Sequence, residues 1–80
     1  MKMRVEAQYL VREAVQGKKD PSKTYYNATF LQGTETIQIS AAKEAYDQLA
    51  DYNQLELTTL NLDYNTAYKT LRLVSVGVQV

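Results

Sequence analysis

The chain has 80 residues, with nine lysines and arginines against nine acidic residues and no histidine, cysteine or tryptophan. That length makes one domain, residues 1–80, burying only about 60% of the surface its unfolded form exposes, and without cysteine it has neither disulfides nor thiolate metal ligands. The missing histidine and cysteine remove the usual acid–base and nucleophilic groups, and Gly17, Gly33 and Gly77 are too far apart for a phosphate loop, so no enzyme activity, cofactor or metal is expected.

Met3 to Gln16 opens with strict alternation. Val5, Ala7, Tyr9 and Val11 share one phase and Arg4, Glu6, Gln8 and Arg12 the other, which predicts a strand with one buried face. Leu10 breaks the polar phase and marks a place where that face is covered or meets a partner. Gly17 to Lys23 is a loop, by its glycine, Asp-Pro and serine. Its three lysines make it a mobile cationic arm, against the plainer reading of a solvated hairpin loop. Thr24 to Gln32 is a second strand with Tyr26, Ala28 and Phe30 inward, which turns Tyr25 outward. Gly33-Thr34 is a tight turn, and Glu35 to Ile39 completes an antiparallel hairpin with Ile37 and Ile39 inward.

Ser40 fits a helix N-cap. Ala41 to Tyr52 then carries Ala42, Ala45, Tyr46 and Leu49 as an apolar stripe at helical spacing. Asp47 and Asp51 lie one turn apart, but two carboxylates without a suitable loop describe a solvated face rather than a cation site. Gln54 to Leu62 is the fourth strand, where Leu55 and Leu57 share a phase and Leu60 and Leu62 take the other, so a bulge or bend is expected at Thr58-Thr59. Asp63 to Ala67 is a turn carrying Tyr64, and Tyr68 to Val76 is the fifth strand. The apolar end, Val74 to Val80, has high β-propensity and calls for a partner strand. Asn27-Ala28-Thr29 matches a glycosylation acceptor by chance composition. The first residues alternate instead of forming an apolar leader, and no run approaches the roughly 18 apolar residues of a membrane span, so a cytoplasmic location and no membrane partner are expected.

Three strands, a helix and two strands is the element order of an OB-fold barrel. The expected class is mainly β, five-stranded, with one helix between strands three and four plugging an end of the barrel. An open α+β sheet with a helix on one face is the alternative. In an OB-fold the ligand lies on strands two and three, flanked by the loops joining strands one to two and four to five. Here the first loop holds Lys18, Lys19 and Lys23, and the second holds Tyr64 and runs into Tyr68 and Lys69.

Seven of the eight aromatic residues are tyrosines. Tyr9, Tyr26, Tyr46 and Tyr52 sit on apolar phases and read as packing residues, Tyr68 is ambiguous, and Tyr25 and Tyr64 are better explained by exposure. The charge is unevenly spread: the segment up to Lys23 is cationic, Thr24 to Ala67 is acidic, and Lys69 and Arg72 restore neutrality. Stacking rings beside cations are what a single-stranded nucleic acid requires. The expected contacts are Arg12, Lys18, Lys19, Lys23, Lys69 and Arg72 on phosphates, and Tyr25, Tyr64 and Tyr68 on bases. A protein-interaction or assembly module is the alternative, favoured by net neutrality and the apolar end.

Val5-Glu6, Lys23-Thr24-Tyr25 and Leu71-Arg72-Leu73-Val74 resemble the single-stranded-DNA-binding proteins of filamentous phages, which are small OB-fold dimers. A second pattern is similar to small proteins of conjugative transposons. It runs from Lys23-Thr24-Tyr25 through Ile37-Gln38-Ile39-Ser40 to Asp51-Tyr52-Asn53 and the leucines of strand four. The resemblance implies a homodimer that coats single-stranded DNA, largely independently of sequence, in phage or mobile-element replication or transfer. It does not by itself separate DNA from RNA. Within it, Tyr25 corresponds to a tyrosine that contacts DNA, Lys23 to the cation two places before it, and Arg72 to an arginine of the closing strand. The chain departs from the phage pattern in lacking the long hairpin of the dimer arm and in having a more pronounced helix.

Overall fold

The structure, a computed structural model, describes residues 1–77. It contains β1 (Lys2–Gln16), β2 (Thr24–Gln32), β3 (Glu35–Ala41), α1 (Lys43–Gln48), a 3₁₀ turn at Leu49–Asp51, β4 (Leu57–Asn65) and β5 (Thr70–Val76). The strands close into a barrel in the order β1-β2-β3-β5-β4, with β4 returning to β1. All neighbours are antiparallel except β3 and β5. This is the OB-fold-like barrel that the element order predicts, with its single short helix between strands three and four.

β1 serves two ladders: Lys2 to Gln8 pair with β4, and Gln8 to Gln16 pair with β2. A strand shared in this way has to bend, and the bend falls at Leu10, the extra residue between the pairs Tyr9↔Phe30 and Val11↔Thr29. The extra residue reverses the phase of all that follows. Tyr9 is buried, but Val11, expected on the same face, is 54% exposed, and Arg12 turns inward and is half-buried. The phase break at Leu10 is thus a bulge.

The β2–β3 hairpin turns on Gly33 and Thr34. Only Gly33 takes a positive φ (64°) there, as the II′ turn of a two-residue hairpin requires. β3 runs on to Ala41, so Ser40 is a strand residue paired with Asn27 on one side and Arg72 on the other, and it does not cap the helix. Ala42 occupies the N-cap position without a side-chain hydrogen bond. The helix is also shorter than the stripe predicts, because Leu49–Asp51 tightens into the 3₁₀ turn. Ala45 and Leu49 still point into the barrel and are buried, as the stripe requires.

Leu55 adopts a left-handed conformation (φ 70°), and β4 begins two residues later. Leu55 and Leu57 are therefore exposed instead of forming an inward phase, while Thr58, Leu60 and Leu62 face the core without interruption. The bulge expected at Thr58-Thr59 is absent, and the β1–β4 register is continuous there. The irregularity lies in β5, where Val74 is the extra residue between the pairs Leu62↔Leu73 and Asn61↔Ser75. It allows Leu73 and Val76 both to be buried. The last part of the apolar end, residues 78–80, lies outside the described residues.

The core is built on Phe30, Leu49, Leu60 and Leu73, with Ala7, Ala28 and Ala45 admitting close approach of the elements around them. Each fully buried large side chain contributes about 1.5–3 kcal/mol. Beyond Leu73, β5 has outrun β3 and borders α1: Ala42 N–H donates to Leu73 O at 2.8 Å, and Gln48 Oε1 accepts the Val76 N–H at 2.8 Å. No helix among the described residues is long and apolar enough to cross a membrane, and no group of three or more potential metal ligands occurs among them.

Candidate nucleic-acid interface

The outer face of β2, β3 and β5 carries a row of directly paired residues, Asn27 (β2), Ser40 (β3) and Arg72 (β5), continued by Asp63 (β4) and Lys2 (β1). Neighbours in such a row stand about 4.8 Å apart. Tyr25 projects from the same face of β2, two residues before Asn27, and is 55% exposed. Tyr25, Ser40, Lys43 and Arg72, with Thr24, Tyr26 and Ala41, line an open cleft of about 410 Å³. The cleft has an aromatic ring, a hydroxyl and two cations, and no acidic side chain lines it.

The position of the Tyr25 ring is set by the loop beside it. A Cβ on Gly17 would lie 3.0 Å from Tyr25 Cε2 and 2.8 Å from Asp20 O, so glycine there lets the ring rest against the backbone. The loop is closed by its own hydrogen bonds: Gly17 N–H donates to Lys23 O at 2.9 Å and Lys23 N–H to Asp20 O at 3.0 Å. Asp20 Oδ1 accepts from Ser22 N and Oγ. The lysine segment is thus a tied turn in which Lys18, Lys19 and Lys23 all remain exposed, with Lys23 two residues from the Tyr25 ring.

The other expected residues are placed differently. Arg12 sits behind the β1–β2 hairpin, where its Nη1 donates to Tyr46 O at 2.7 Å and its guanidinium carbon lies 4.3 Å from the centre of the Tyr46 ring. Tyr46 also packs on Tyr26, with ring centroids 4.7 Å apart. Arg12 therefore clasps the helix to the barrel. Tyr64 is a half-buried β4 residue paired with Leu71, not a turn residue. Tyr68 lies in the β4–β5 turn, not in β5, and is 78% exposed. The turn is held by Asn65 Oδ1, which accepts the Ala67 and Tyr68 N–H groups, and by a left-handed Lys69 (φ 53°). None of Tyr64, Tyr68 and Lys69 lines the Tyr25 cleft.

Tyr9, Tyr26, Tyr46 and Tyr52 are packing residues, as expected. Tyr9 is buried against Phe30, Tyr26 and Tyr52 pack on the core, and Tyr46 is half-buried against Tyr26. Lys43 and Ser40 are the site residues the sequence reading missed. Ser40 lies in β3 instead of capping the helix, and Lys43 is the first residue of α1, so the junction of β3 with α1 places both beside Tyr25 and Arg72. Comparison with known proteins finds no matching family model and no matching curated relative.

Proposed function

We propose that this barrel binds single-stranded nucleic acid, DNA in the first place, without base specificity and without catalysing a reaction. Tyr25 stacks on a base, and Lys23, Lys43 and Arg72 neutralise the flanking phosphates. The observation that carries the reading is the cleft itself, in which an exposed tyrosine and two cations from three different elements meet and which no acidic side chain lines. An aromatic platform beside a cationic track is the minimal apparatus for sequence-tolerant single-strand binding. A role in phage or mobile-element replication or transfer rests on the resemblance of Lys23-Thr24-Tyr25 and Leu71-Arg72-Leu73-Val74 alone. The alternative, a protein-binding module, draws on exposed Leu55, Leu57 and Val74, none of which lines the cleft.

The test is fluorescence anisotropy with a labelled oligothymidylate and with a duplex of equal length, each across a salt series. With three or four phosphates neutralised, log K should fall against log salt with a slope of about −2 to −3. The duplex should bind more weakly at every salt concentration. Tyr25→Ala should cost about 1–3 kcal/mol in single-strand affinity, the range of one base–aromatic stack. A loss well under threefold, or no single-strand binding at low salt, refutes the assignment.

A further inference from the structure

The barrel is closed between β3 and β5 by a parallel ladder of only two pairs, Ser40↔Arg72 and Ala41↔Leu73. Upstream of Ser40 no further β3–β5 pair forms, and among the described residues the first half of β3 is paired only on its β2 side. The hairpin register fixes which backbone groups are left over. The two-residue turn makes Gln32↔Glu35 a hydrogen-bonded pair, so Phe30↔Ile37 and Ala28↔Ile39 also exchange their bonds, and the pairs between them do not. Thr36 and Gln38 consequently aim N–H and C=O away from β2, along the open edge. Ser40 does the same and is met by β5.

Edge strands are commonly blunted by lysine, proline or a bulge. The Thr36-Ile37-Gln38-Ile39 edge has none of these, and its β2 register is unbroken. The β5 edge offers a contrast within the same molecule, since its Val76 N–H is covered by the Gln48 side chain.

We infer that the open edge of β3 pairs with β3 of a second copy of this chain, antiparallel, about a two-fold axis through Ile37. The edge is complementary to itself. Thr36 exchanges two backbone hydrogen bonds with Gln38 of the second copy, Gln38 exchanges two with its Thr36, and every leftover group is used. The two Ile37 residues face one another as a non-hydrogen-bonded pair with Cα atoms about 4.5 Å apart. The two Glu35 residues lie four positions apart along the strands, about 14 Å, so no like charges oppose one another. On the outer face the Thr36 hydroxyl meets the Gln38 amide twice. The axis stands normal to the joined sheet, so the outer faces of both copies, each bearing a Tyr25–Arg72 cleft, open to the same side. The pairing does not depend on what those clefts bind.

Sedimentation equilibrium of the full chain across a concentration series tests the pairing, together with the same measurement on Gln38→Pro. The Gln38 N–H is not used in the β2 ladder, and proline is tolerated where that group faces outward at an edge, so the variant retains its fold. The expected result is a wild-type mass rising towards twice the monomer, and a Gln38→Pro mass that stays at the monomer with unchanged circular dichroism. The register is tested separately by single thiols in this cysteine-free chain. Ile37→Cys should give a disulfide-linked dimer under mild oxidation, whereas Glu35→Cys should not, since Cα atoms more than about 7 Å apart cannot be bridged. A wild-type chain that stays monomeric throughout, with or without capture of an extended peptide at this edge, overturns the proposal. So does a Gln38→Pro dimer, and so does equal cross-linking of the two thiol variants. If Gln38→Pro fails to fold, the thiol pair decides.

Discussion

Removing the Arg12 side chain should damage the fold and leave the salt dependence of nucleic-acid binding intact. Arg12 was expected to neutralise a phosphate, yet its Nη1 donates to Tyr46 O at 2.7 Å and its guanidinium lies over the Tyr46 ring at 4.3 Å. Tyr46 lies in the last turn of α1, where carbonyls are short of helical partners, and Arg12 supplies a donor to its carbonyl. A hydrogen bond from a charged donor contributes about 1.5–3 kcal/mol, and the half-buried position favours the lower end. The cation–π contact adds about 0.5–1 kcal/mol. Arg12→Ala should therefore lose about 2–2.5 kcal/mol, equivalent to a fall in Tm of roughly 8–20 °C for a domain of this size. Urea titration followed by far-UV circular dichroism measures the loss directly. Arg12→Lys should recover less than half of it, because lysine keeps the charge but not the planar fork. A loss below about 0.5 kcal/mol, typical of an indifferent surface change, refutes the clasp. If the salt slope became shallower as well, Arg12 would return to the phosphate-binding set.

Two further outcomes can be stated for the same protein. Lys43→Ala should make the salt slope for single-strand binding shallower by about 0.7, one phosphate's share, while changing the urea midpoint little; an unchanged slope removes Lys43 from the site. Burial holds the Tyr9 phenol above the ordinary tyrosine value of about 10. Its proton is thus kept by the folded chain and released first by the unfolded one. The associated stability is intact below about pH 10 and is lost as the pH rises through the folded value. Tyr9→Phe should flatten that alkaline loss in urea midpoints measured from pH 8 to 11, and parallel losses in the two proteins would show that Tyr9 is not responsible.

The element order, the β2–β3 hairpin and the outward Tyr25 were legible because each rests on a local signal: alternation, a glycine at a two-residue turn, a ring out of phase with Phe30. Two of the errors follow from single residues that change the course of a strand. Leu10 bulges, and Val11 and Arg12 exchange faces after it. A left-handed Leu55 delays β4, so two leucines that resemble core residues are left exposed. A bulge at leucine has no local signature and a left-handed leucine runs against local preference; both are compatible with closure of the barrel, which no window of sequence contains. The same limit hid the place of Ser40. A serine before an alanine-rich stretch is a sound helix signal, but pairing with both Asn27 and Arg72 holds Ser40 in the strand.

The contact between Gly17 and Tyr25 bears on the entropy of binding. An exposed tyrosine ordinarily samples several rotamers, and fixing a rotamer-rich side chain in a complex costs about 0.5–1.5 kcal/mol. Here the ring already rests against the backbone of a loop tied by Gly17–Lys23 and Lys23–Asp20 hydrogen bonds. Part of that ordering is completed during folding, before any base arrives. Gly17, which presents no side chain to a ligand, thereby helps to set how strongly Tyr25 can hold one.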